Sequence, residues 1–84
     1  MFSKIATKED VDLERLELRK KLTKKHRDKR IIDVEWRLNR YYSEQRNGIT
    51  PTDDIALLDA YIQELRDVPN QTGFPDNVVW PIEP

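Results

Sequence analysis

Residues 8 to 47, KEDVDLERLELRKKLTKKHRDKRIIDVEWRLNRYYSEQRN, hold neither proline nor glycine and are rich in Leu, Arg, Lys and Glu. Such side chains lose little rotamer freedom in a helix, so the stretch predicts a long helix over 8–46. Thr7 stands where an N-cap is needed, and Glu9, Asp10 and Asp12 bring negative charge to the positive end of the helix dipole. Val11, Leu18 and Leu22 share one face, with Leu13 and Leu16 beside them. A second stripe follows: Ile31, Val34, Leu38, Tyr41 and Gln45 recur at steps of three and four, and Ile32, Trp36 and Tyr42 broaden it. Between the stripes, Thr23 to Arg30 offers no apolar side chain. Asp28 and Asp33 are the only capping types near that gap, which leaves two readings. One is a single helix of about 39 residues, bent near residue 30; the other is two helices meeting between Lys29 and Asp33.

Outward from this stretch, Asn47-Gly48 closes the helix, since either residue tolerates the left-handed conformation at a C-terminus. Thr50-Pro51-Thr52-Asp53-Asp54 then reads as a restart, with Thr50 as cap, Pro51 at the first helical position and a helix over 51–67. Its seam is Ile55, Leu58, Ile62 and Leu65, flanked by Leu57 and Tyr61, and Val68-Pro69 stops it. A short connection makes the two helices antiparallel, so the predicted core is this seam against Ile31, Val34, Leu38 and Tyr41. Residues 69–84 carry four of the five prolines, one of the two glycines and no Lys or Arg. Yet Phe74, Val78, Val79, Trp80 and Ile82 are too apolar for an inert linker, so an extended arm docked on some surface is expected. The predicted class is all-α, in one domain spanning 1–84.

Composition narrows the chemistry. A chain of 84 residues builds one thin core. Without cysteine there is no disulfide and no thiolate, and one histidine cannot supply a zinc cluster. Met-Phe-Ser-Lys-Ile-Ala-Thr is followed at once by charges, so neither a signal segment nor a membrane span is expected, and a cytosolic chain is. His26 lies in a basic run with no catalytic partner, and Ser3 and Ser43 lack a local base. Asp53-Asp54 suits helix N-terminal charge better than an acid and base pair or a metal chelate. No catalytic, cofactor-binding or metal-binding residue is therefore assigned.

Arg19, Lys20, Lys21, Lys24, Lys25, Arg27, Lys29 and Arg30 face only Asp28 in their run, whereas residues 44 to 84 hold eight acids and two bases. This bipolar pattern reads first as a solvated or self-complementary face, second as a site for an acidic protein, and last as a nucleic-acid footprint.

Leu65-Arg66-Asp67-Val68-Pro69, then Gln71, Gly73-Phe74-Pro75 and Val79-Trp80-Pro81, with Tyr61 upstream, resemble the C-terminal signature of the phage tail assembly chaperone family. Arg27-Asp28 followed by Trp36 is similar to an upstream segment of that family, with Glu35 where Asp is usual and Val34 in place of a small polar residue. The resemblance covers roughly residues 27 to 84 and leaves the N-terminal third without a counterpart. It implies a small non-enzymatic assembly factor for a phage tail or tail fibre protein, working in the host cytoplasm with no small-molecule substrate or cofactor. A minor structural component of the mature tail is the alternative, and a nucleic-acid-binding regulator a third. Candidate partner-binding residues are Trp36, Tyr41, Tyr61, Arg66, Gly73, Phe74, Pro75, Val79, Trp80 and Pro81. At helical spacing, Trp36, Tyr41 and Tyr42 also read as core. The arm itself has two readings: folded back to enlarge the core, or available to a partner. The first stripe, Val11 to Leu22, has no place in the hairpin and is free to drive self-association into a homo-oligomer.

Overall fold

A computed structural model describes residues 7–84; the N-terminal segment read above for signal character, and Ser3 with it, lie outside the described residues. Helix α1 runs without interruption from Lys8 to Arg46, α2 from Ile55 to Arg66, and a single 3-10 turn from Val68 to Asn70. Among the described residues there is no strand, and the class is all-α. No helix among them is long and apolar enough to cross a membrane.

The start of α1 is held by a capping box, in which Thr7 Oγ1 accepts from the Asp10 amide at 3.1 Å and the Thr7 amide donates to the Asp10 carboxylate at 3.2 Å. No break occurs near residue 30: helix formers fill the gap between the stripes, and neither Asp28 nor Asp33 caps a new start. At the far end Asn47 is the C-cap, and Gly48 takes the left-handed conformation with φ of 69°.

The start of α2 differs from the expected Thr50 cap with Pro51 at the first helical position. Asp54 is the cap, and its carboxylate accepts from the amides of Ala56 at 2.9 Å and Leu57 at 3.3 Å. Thr52 is taken up elsewhere, since its hydroxyl donates to Glu44 at 2.8 Å and its amide to the same carboxylate at 3.3 Å. The interhelical connection thus extends to residue 54, anchored on the last turn of α1.

Among the described residues the buried apolar side chains are Val34, Leu58, Tyr61, Ile62, Leu65 and Val68. Val34, Tyr61, Ile62 and Leu65 cluster, with Ile31, Leu38 and Trp80 packed against them. Compared with the predicted hairpin core, Tyr61 moves from the flank into the cluster, Leu58 is buried outside it, Ile55 is half-buried, Tyr41 lies outside the cluster, edge-on to Tyr42 at 5.4 Å between rings, and Trp80 of the arm joins. Each fully buried Leu or Val contributes about 1.5–3 kcal/mol, so the core is thin enough for one added tryptophan to matter. The molecule measures 69 × 28 × 13 Å with a radius of gyration of 19.1 Å, against about 12 Å for a compact chain of this length. The excess is the N-terminal half of α1, which projects past α2.

Candidate functional site

The C-terminal segment is built in three parts. Pro69 falls in the first turn of the 3-10 segment, where a missing N–H costs nothing. Residues 71–77 then form turns, closed by the Phe74 amide donating to Gln71 O at 3.1 Å and the Asn77 amide to Gly73 O at 2.6 Å. Only residues 78–84 run free of helix and turn, so the arm is shorter than the stretch expected from residue 69. Gly73 is required by space: a Cβ there would meet the carbonyl oxygen of Asn77. Gln71 ties the turns to the arm, its side-chain amide donating to Val79 O and its oxygen accepting from the Val79 amide, both at 2.8 Å.

The arm lies along α1. Thr23 Oγ1 donates to Pro75 O at 3.3 Å, and Arg19 pairs with Asp76 at 2.8 Å. The Arg30 guanidinium lies 4.4 Å from the centre of the Trp80 ring, and Trp80 reaches the core cluster. Arg37 donates to the Pro84 carbonyl at 2.7 Å and sits 3.8 Å from Glu83. Four side chains of α1 thus hold the segment over residues 75–84, as the folded-back reading expected.

Arg37 also belongs to a second feature that sequence reading missed. The Asp53 side chain, 8% exposed, accepts from Arg37 at 2.6 Å and from Arg40 at 2.7 Å. Hydrogen bonds from Arg37 and then Arg40 hold its carboxyl down at about 2, despite the burial that opposes the charge; Arg37 is correspondingly raised. Asp53 therefore clasps the two helices and is not helix N-terminal charge; that role is Asp54's. The available signal was the pair of arginines three apart on α1, opposite an acid in the connection.

Around this scaffold the candidate residues separate. Tyr61 is 5% exposed and supports the surface from below. Tyr41, Gly73, Phe74, Pro75, Trp80 and Pro81 are half-buried, and Arg66 is exposed. Val79 is 78% exposed, as is Ile82 at 92%, a residue outside the candidate set. Along residues 78–84 the chain accordingly turns Trp80 inward and Val79 and Ile82 outward. Among the described residues, no group accepts from the amides of Val78, Trp80, Ile82 or Glu83. Trp36 differs from the core reading: it is 57% exposed, as Ile32 is at 63%, because both lie about 160–200° round α1 from Val34. Arg40 covers one face of its ring at 4.8 Å.

In the basic run, Arg19, Lys20 and Arg27 are ion-paired and Arg30 lies on Trp80; Lys21, Lys24, Lys25 and Lys29 have no ion-pair partner among the described residues. No group of three or more His, Asp or Glu side chains among those residues is arranged to hold a metal ion. Residues 20–84 match the family model described as phage tail assembly chaperone protein, so the match covers the core, the Asp53 clasp and the whole arm. No curated protein and no solved structure matches the chain.

Proposed function

The chain belongs to the phage tail assembly chaperone family, and from that premise we propose that it is a non-enzymatic chaperone that holds a phage tail or tail fibre protein in the host cytoplasm by the outward side of its arm. The observation that carries this reading is the division of residues 78–84. Trp80 anchors the segment inward, while Val79 and Ile82 are offered to solvent beside unpaired backbone amides. An apolar segment with free amides fits recognition by backbone pairing, in which an edge of the immature tail protein is covered until assembly consumes it. Pro81 interrupts the segment and Pro84 ends it, each removing a donor, which keeps the pairing short.

Co-expression of the chain with each neighbouring tail gene, followed by pull-down, tests the proposal. Capture of a tail or fibre component by the wild type and its loss in Val79→Asp/Ile82→Asp, with helicity and melting temperature unchanged, is the expected result. Undiminished capture by the double variant would remove the arm from the interface.

A further inference from the structure

The back of α1 carries a feature that neither the hairpin nor the arm uses. Leu18, Leu22, Lys25, Lys29, Ile32 and Trp36 follow one another at steps of four and three, a heptad seam about 160–240° round the helix from Val34. Its apolar members are exposed: Leu18 by 56%, Leu22 by 51%, Ile32 by 63% and Trp36 by 57%. With the core face turned to α2 and the arm, this face has no partner within the chain among the described residues.

The seam is symmetric about residue 27. A two-fold axis there sets Leu18 against Trp36 of a second copy, Leu22 against Ile32, and Lys25 against Lys29. The flanking charges obey the same symmetry. Lys21 comes opposite Glu35 of the second copy on one flank, and Arg19 opposite Asp33 on the other. Lys21, Asp33 and Glu35 have no ion-pair partner among the described residues, whereas Arg19 already pairs with Asp76. The same symmetry sets Asp28 against Asp28 of the second copy; the parallel register instead makes two Asp28–Asp33 contacts and sets Lys21 against His26, with Glu35 on Arg40 as its attraction. At the centre the lysines would lay their stems on the seam and carry their charges out to solvent, leaving two apolar contacts on either side.

We propose that the back of α1 is the contact surface of a homodimer in which two copies of this helix lie antiparallel, Leu18 on Trp36 and Leu22 on Ile32. The dimer turns both arms away from the contact, so each copy keeps its own arm available.

Sedimentation equilibrium of the full chain over a concentration series tests it. A monomer–dimer equilibrium is expected, weakened about tenfold by Lys21→Glu and likewise by Glu35→Lys, since each turns two attractions into two repulsions. Combining the two changes should restore the wild-type constant. Positions 21 and 35 are about 21 Å apart along one helix, so rescue cannot arise within a chain. Ile32→Glu should leave helicity intact and abolish the dimer. Monomer mass at every concentration, or a double variant no better than the singles, overturns the proposal. So does a monomer in which Ile32→Glu abolishes capture of a tail component, because that result gives the face to the other protein.

Discussion

Asp53 is the residue on which the two helices depend electrostatically, and its lowered carboxyl sets a sign for the pH response. A carboxyl held below its unfolded value stabilises the fold fully above that value and loses the contribution as pH falls from 3.8 towards about 2. NMR titration should therefore place the Asp53 midpoint near 2, and Asp53→Asn should remove this part of the acid-induced loss of stability. Gly73 is the second such residue. Gly73→Ala forces the new methyl against the Asn77 carbonyl, an overpacking of about 1–3 kcal/mol, and calorimetry should show the lower melting temperature. Neither role was legible beforehand. Asp53 stood beside Asp54 in a pattern that fits helix starts, and only the fold shows Arg37 and Arg40 converging on it. The need for Gly73 comes from a turn closed four residues later.

At the scale of elements, α1 was readable because its propensities, its cap and the absence of breakers all agree locally. Its continuity near residue 30 followed from the same residues, although the missing apolar side chains there suggested a break. The beginning of α2 was misplaced since Thr50-Pro51 is as good a local start as Asp54, and the Thr52 to Glu44 contacts decide between them. Which face of α1 is inside was half readable: Ile31, Val34 and Leu38 pack, while Ile32 and Trp36, assigned to the same broad stripe, lie on the other side. Two changes on α2 separate its faces. Leu65→Ala should cost about 2–5 kcal/mol in denaturant unfolding because Leu65 is fully buried. Leu57→Ala, at a position 57% exposed, should stay within about 0.5 kcal/mol.

For the whole molecule, the arm is docked on α1, the helix that also builds the core, and this could not be read from the chain because its contacts join residues more than 45 positions apart: Thr23 to Pro75 and Arg37 to Pro84. The apolar content of residues 74–82 signalled docking, but not that the docking surface is α1 itself. Removing everything after Val68 strips Trp80 from the core cluster, releases Arg19 and Arg30 and leaves Arg37 with Asp53 alone, so that truncation should lower the melting temperature as well as partner capture. Loss of capture there is uninformative about the interface, unlike the paired change at Val79 and Ile82. The most direct measurement is amide hydrogen exchange along residues 78–83, in the free protein and in the complex with its tail component. Fast exchange at Trp80, Ile82 and Glu83 in the free chain and strong protection in the complex are expected. Amides that exchange equally fast in both states would contradict recognition by the arm.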